Sequence, residues 1–272
     1  MLTVSELNIY PIKSLAGIAL ETAVVTSRGL QYDRRMMLVD ENNCFFTQRE
    51  YPAMALLQPV LTNDGLLIRH KNNSSDALFI PQQPSNSELV NVTVWDDTCE
   101  GQLYEAGIND WFSQALGLSC KLVYMPVTSN RAVDKRYASN NEITSFSDGY
   151  PILVIGQASL DDLNNRLAAP LPMNRFRPNI VFTGGGAFLE DEMALFTING
   201  IRFSAVKPCA RCVMTTINQD TMEQSKEPLK TLAGYRFKDN KILFGQNLLH
   251  KGTGAINVGD AIDIINFQPA AI

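Results

Sequence analysis

The chain has 272 residues, 45% of them hydrophobic and 19% charged, which suits two modest domains or one large one, either with a core of its own. A net charge of −5 argues against a general nucleic-acid or anionic-membrane surface, while leaving room for a local basic pocket. Five cysteines, sparse and odd in number, argue against a disulfide-stapled secreted scaffold, and two histidines, His70 and His250, argue against a histidine-rich metal site or a Ser–His–Asp machine.

The N-terminus, MLTVSELNIYPIKS, shows no basic segment leading into an apolar one, and the longest apolar stretch, Tyr150–Ile155, is too short for a bilayer. A reduced, cytoplasmic chain is expected, with no nucleic-acid and no membrane partner. Leu2–Tyr10 alternates like a strand. Arg35–Asp40 and Cys44–Gln48 flank a turn at Glu41-Asn42-Asn43; Ala55–Thr62 and Leu66–His70 flank Asn63-Asp64-Gly65; Leu89–Trp95 and Thr98–Tyr104 flank Asp96-Asp97. Short strands at this spacing point to a barrel or sandwich rather than to alternating βαβ units.

The period then changes. Ile108, Trp111, Phe112, Ala115 and Leu116 form one face of a helix, and Gly117 stops it. Lys121–Met125 reads as a strand, residues 127–149 as a long polar loop, and Ile152–Ile155 as a strand leading to a second helix with Ser159 as its N-cap. Beyond Pro170 and Pro172 the chain is mostly β again: Asn179–Thr183, a hairpin of Leu195–Ile198 and Ile201–Val206 about Asn199-Gly200, and Ile256–Val258 and Ala261–Ile265 about Gly259-Asp260. The expected fold is mainly β, two β-barrel-like domains with a few helices, divided into residues 1–122 and 123–272.

Chemistry centres on KPCARC, residues 207–212. Pro208 is expected to end the strand pairing and leave both cysteines on a turn. A structural zinc site wants a second cysteine pair, and Cys44, Cys99 and Cys120 are isolated. A thioredoxin-like pair wants a following helix, and Val213–Ile217 is β-branched. A single functional thiolate, favoured by Lys207 and Arg211, is the better functional reading, beside a buried and inert pair. Cations recur at strand ends: Lys13 beside Ser14, Arg34 and Arg35, Arg175 and Arg177. In an acidic chain they suit a bound anion or, one by one, a solvated surface. Asp148 either orients a substrate or caps a turn. Gly184-Gly185-Gly186 reads as a plain turn, and no GxxxxGK[ST] or GxGxxG motif is present.

Taken in order, Tyr10-Pro11-Ile12-Lys13-Ser14-Leu15-Ala16-Gly17, Asp33-Arg34, Ser147-Asp148-Gly149-Tyr150-Pro151, Asn174-Arg175-Phe176-Arg177-Pro178-Asn179-Ile180, Cys209-Ala210-Arg211-Cys212 and Lys226-Glu227-Pro228-Leu229-Lys230-Thr231-Leu232 make a specific set. Through them the chain resembles the MOSC-domain proteins, in particular the branch that includes the mitochondrial amidoxime-reducing components. The resemblance implies an N-terminal β-barrel domain, a MOSC domain, and a molybdenum cofactor (molybdopterin with Mo) between them. It implies Cys212 as the metal ligand and catalytic centre with Asp148. It implies Lys13, Ser14, Arg34, Arg177, Asn179 and Arg211 as cofactor-binding residues. Gly149-Tyr150 stands where the family often has Thr-Ser, and Ala210 where it often has serine.

The activity implied is reduction of a small N-hydroxylated substrate. As the sequence shows no C-x4-C-x2-C run for an iron–sulfur domain, the electrons are expected from a separate electron-donor protein carrying flavin or iron–sulfur, or else the chain is a fragment of a longer one. The alternatives are a cofactor or sulfur carrier of the sulfurase type working through a Cys212 persulfide, and a thiol–disulfide protein using Cys209 with Cys212. Pyridoxal phosphate binding goes with the sulfurase reading, and no pyridoxal-phosphate domain is expected here.

Overall fold

The alternation of the first strand sets the frame of the molecule. In the computed structural model, which describes residues 1–138 and 140–272 apart from the side chains of Ser74 and Ser75, the strand Leu2–Ile9 turns Val4, Leu7 and Ile9 into a core. It pairs antiparallel with Ile180–Thr183 on one side and Ala261–Phe267 on the other. From there the pairing runs to Met193–Ile198, Ile201–Ala210, Lys241–Lys251 and Ile152–Gly156, and the last lies parallel to Ile180–Thr183. These seven strands close into a barrel, which leaves no free edge among them. Phe196 and Phe203 stack inside it, ring centroids 5.7 Å apart, with Phe182 and Leu248 around them.

One parallel pair needs a long crossover, and the helix Gln157–Asn164 supplies it. That helix and the helix Leu229–Ala233 cover the outside of the barrel, where Leu160, Leu163 and Leu232 join Phe244 of the strand Lys241–Lys251 in one apolar cluster. Ser159, expected as the N-cap, lies inside the helix, which starts two residues earlier. Its hydroxyl is taken by long-range partners: it donates to Glu190 Oε2 at 2.8 Å and accepts from the Phe188 amide at 2.8 Å. Glu190 and Asp191 are buried on the short helix Leu189–Glu192. Asp191 is ion-paired with Arg236 and accepts from Gln246 Nε2 at 2.9 Å.

The chain between Ile9 and Ile152 builds a second lobe. A four-stranded antiparallel sheet joins Met36–Val39, Lys121–Tyr124, Asp97–Leu103 and Leu89–Val94. A meander of Leu57–Leu61, Gly65–His70 and Asn73–Pro81 stands beside it, and the helix Ala106–Leu116 packs Ile108 and Phe112 inward. Gly117 ends that helix at φ 68°, the left-handed position glycine tolerates best. The fold is mainly β. Chain order and sheet membership interleave, because the first strand belongs to the barrel and Thr22–Thr26 pairs with Gly254–Asn257.

Two local readings are corrected. The strand Ile201–Ala210 runs past Pro208, which pairs opposite Gln246 at an irregularity in the ladder where its missing N–H is tolerated. The segment Val213–Thr216 forms a turn of 3-10 helix with Cys212 as its N-cap. Within the polar stretch 127–149, Arg131–Ala132 pairs with Ile143–Thr144, and Ser139 lies outside the described residues. Among the described residues no helix is long and apolar enough to cross a membrane.

Candidate functional site

The seam between the two lobes is where the first barrel strand ends. The chain leaves the strand at Ile9 and crosses into the second lobe through Tyr10–Ser14. It returns through Phe146–Pro151, and the segment Arg175–Asn179 runs beside it before the strand Ile180–Thr183. Lys13, Ser14, Arg34, Asp148, Arg177, Asn179, Arg211 and Cys212 all line one cleft there, of about 130 Å³. A larger cavity, about 520 Å³, lies around Arg28, Tyr32, Leu61 and Tyr124 and contains no cysteine. We take the smaller cleft as the site because it joins the two thiols to the clustered cations.

The backbone is held in an unusual way at this seam. Ser14 (φ 68°), Arg34 (φ 48°) and Arg177 (φ 56°) all sit in the left-handed region, which side-chain-bearing residues seldom adopt and which collects at functional sites. The Tyr10 ring is flanked by two guanidiniums, Arg34 at 4.3 Å and Arg177 at 4.1 Å. Arg34 Nη1 donates to Asp33 Oδ2 at 2.6 Å and to Asn179 Oδ1 at 3.2 Å. Burial opposes the charge of Arg34, and Asp33 outweighs it, so Arg34 is raised above its ordinary range. Burial lowers Arg177 to about 10 and raises Tyr10 to about 12.

Asp148 is the hub of the opposite wall. Its Oδ1 accepts from Lys13 Nζ at 2.6 Å and from Trp95 Nε1 at 3.2 Å, and its Oδ2 from Arg49 Nη2 at 3.4 Å. Burial favours the neutral acid, but Lys13 and then Arg49 and Trp95 outweigh it and hold the carboxyl well below the usual range. Its side chain is 62% exposed by area, because it faces the open cleft rather than the core. Lys13 also donates to the Phe146 carbonyl at 2.8 Å, and burial brings it down to about 8, with Asp148 opposing. At pH 7 both members of the pair are therefore charged.

Each thiol of the Cys-x-x-Cys pair has its own guanidinium. Arg49 Nε lies 3.1 Å from Cys212 Sγ, and Arg211 Nη1 lies 3.0 Å from Cys209 Sγ. Arg211 also donates to the Phe176 carbonyl at 2.6 Å and keeps a buried Nε without a partner among the described residues. Lys207 does not join them; it lies over the rings of Tyr137 and Tyr150 at 5.1 and 5.6 Å. Asn179 lines the cleft, yet its amide is used inside the protein, accepting from the Leu153 amide and donating to the Asn8 carbonyl, so here it braces Arg34. Cys44 is exposed and Cys99 and Cys120 are buried elsewhere, and all five thiols are free. Among the described residues no group of three or more His, Cys, Asp and Glu side chains is placed to hold a metal ion. His70 and His250 stand outside the cleft.

The sequence reading missed Arg49, Trp95 and Gln48. Arg49 is 163 positions from Cys212 and has no local pattern to mark it. The Gln48 and Gln219 amides face each other across the seam, 3.1 and 3.3 Å, and Gln48 Nε2 also reaches the Ser14 carbonyl at 2.6 Å. Six cations, Lys13, Arg34, Arg49, Arg175, Arg177 and Arg211, line the cleft against one carboxylate, Asp148, in a chain whose net charge is −5. The arrangement can bind an anionic group with phosphate-like oxygens and present one soft sulfur to a metal on it.

Comparison with known proteins agrees over nearly the whole chain. Residues 1–119 match the family described as "MOSC N-terminal beta barrel domain" and residues 141–263 that described as "MOSC domain". The chain is 32% identical over 281 residues to mitochondrial amidoxime-reducing component 1 of Mus musculus, covering 97% of this chain and 82% of that protein. It is 31% identical over 278 residues to mitochondrial amidoxime reducing component 2 of Homo sapiens, covering 96% and 82%. It is also 32% identical over 256 residues to the molybdenum cofactor sulfurase of Oryza sativa subsp. japonica; there it covers 87% of this chain but spans only 31% of the sulfurase.

Proposed function

The chain belongs to the MOSC-domain family, with mitochondrial amidoxime-reducing components among its relatives, and on that premise we propose that it is a molybdenum-cofactor-dependent oxidoreductase that reduces N-hydroxylated compounds. The observation that carries the reading is the Cys212 sulfur set in a cleft of six cations and one carboxylate. The donor set fits the group: a soft thiolate suits molybdenum beside dithiolene sulfurs, and the cations suit the pterin phosphate. The orphaned Arg211 Nε leaves a further donor at the cleft wall.

When bound, the cofactor supplies the two-electron chemistry that takes oxygen from the N–OH group. The net conversion is R–N–OH plus two electrons and two protons to R–N–H and water. Cys212 holds the metal, while Lys13, Ser14, Arg34 and Arg177 hold the pterin and its phosphate, with Asn179 bracing Arg34. Asp148, ionised and anchored by Lys13, Arg49 and Trp95, fixes the wall that faces the substrate. A separate flavin or iron–sulfur protein returns the electrons.

The test is elemental analysis of the purified protein, with benzamidoxime reduction driven by an artificial reductant. Cys212→Ser should lose the metal or cut the rate by more than about 100-fold, beyond the 10–100-fold typical of losses behind a ligand. A Cys212→Ser protein with full molybdenum and full rate overturns the assignment. The sulfurase likeness supports a second reading, a sulfur carrier working through a Cys212 persulfide. A cyanolysable sulfur on Cys212 together with no reduction of benzamidoxime would favour it.

A further inference from the structure

The Cys212 sulfur has a donor supplied by the other lobe. Arg49 Nε points at it from 3.1 Å, and the guanidinium is fixed on its remaining sides. Its carbon lies 4.3 Å from the centre of the Trp95 ring, and its Nη2 reaches Asp148 Oδ2 at 3.4 Å. Trp95 is itself held by Asp148 and by Phe45, whose ring centre is 4.7 Å away. The residue before Arg49 is fully buried and locked: Gln48 faces Gln219 in a reciprocal amide pair and donates to the Ser14 carbonyl. Arg211 serves Cys209 and leaves the Cys212 sulfur to Arg49.

We propose that Arg49 is a positioning residue that sets the donor strength of the Cys212 sulfur, and through it the reduction potential of the metal centre. The inference rests on Cys212 being the metal ligand. A hydrogen bond to a ligating sulfur withdraws electron density from it, weakens its donation to the metal, and favours the reduced metal. A nearby positive charge acts in the same direction. The stacking on Trp95 and the locked Gln48 keep the Nε–H aimed at one point, as control of a potential requires.

The experiment is redox titration of the holoenzyme, followed by the Mo(V) electron paramagnetic resonance signal. Arg49→Met keeps an unbranched side chain and removes the guanidinium on Trp95, and with it both donor and charge. Arg49→Gln keeps a neutral N–H donor. Relative to the parent protein, the Met variant should shift the reduction equilibrium about tenfold toward the oxidised metal, about 59 mV per one-electron step, and the Gln variant should fall between the two. If the Met variant does not load molybdenum, the Gln variant carries the test alone, as a shift in the same direction. A residue acting only as a clamp would change stability and loading but not the potential of the molecules that load. Potentials unchanged in the loaded variants therefore overturn the proposal. Cys212→Ser separates this failure from that of the ligand reading: a metal signal unchanged by Cys212→Ser removes the premise, whereas a changed signal with an unmoved Arg49 potential removes only the inference.

Discussion

Glu190 offers a test of the protein's buried interior that is independent of any cofactor. It is 0% exposed; one carboxyl oxygen accepts from Ser159, and the other is buried without a partner among the described residues. Burial, with some help from the neighbouring Asp191, raises its pKa from 4.5 to about 7 against the pull of nearby amides and Ser159. The native state therefore holds a proton that the unfolded chain releases between those two values. The stabilisation is complete below pH 4.5 and is lost as pH rises through 7. At about 1.4 kcal/mol per pH unit, the part lost between pH 5 and pH 8 is about 2–3 kcal/mol. Glu190→Gln abolishes the titration. Urea unfolding of both proteins at pH 5 and pH 8 isolates the residue, because every other group cancels in the difference. The variant should gain about 2–3 kcal/mol over the parent on going from pH 5 to pH 8. A difference that stays level across this range would mean that Glu190 titrates like an exposed carboxyl, and the reasoning from burial would be wrong.

Gln48→Ala should cost about 2 kcal/mol in urea unfolding, since it strands the buried Gln219 amide and one bond to the Ser14 carbonyl. The double variant with Gln219→Ala should cost less than the sum of the two single changes, and strict additivity would deny the pair. Arg236→Met should cost about 3–5 kcal/mol by leaving the Asp191 carboxylate buried and unpaired, and adding Asp191→Asn should recover part of it; no recovery would show that packing, not charge, sets the cost.

What the sequence made legible was local. The Asn199-Gly200 hairpin, the turn at Asn63-Asp64-Gly65 and the helix through Ile108 and Phe112 each carry their signal within a dozen residues, and each is present. Lys241–Lys251, an eleven-residue strand, gave no such signal. It is covered on both sides, by the barrel interior at Leu248 and by the outer helices at Phe244, so it lacks alternation, and Gly245 inside it reads as a breaker. In fact Gly245 holds φ 80° where a Cβ would meet Ile155 Cγ1 at 2.7 Å. Thr22–Thr26 and Asn73–Pro81 are similarly unmarked, one short and one polar at its start. For the site, the ordered motifs carried Lys13, Arg34, Arg177 and Cys212 into one cleft, but Arg49 and Gln48 were invisible. Their partners are Cys212 and Gln219, and only the docking of the lobes brings them together.

That docking explains why the cleft is built at a seam. The sulfur comes from the barrel, while Lys13 and Arg49 come from the chain that forms the other lobe. Six like charges drawn to one small space do not help the fold. Arg34 and Arg177 share one ring between them, and Arg177, Arg175 and Lys13 are each lowered by burial. The carboxylates against them are few, Asp33 for Arg34 and Asp148 for Lys13 and Arg49. Three left-handed side-chain-bearing residues add backbone strain at about 1–3 kcal/mol each. A chain with acidic residues in excess had the means to neutralise this cluster within itself and does not. Charge left uncompensated on strained backbone, around a pair of thiols, is better explained by a bound anion that completes it than by any contribution to folding.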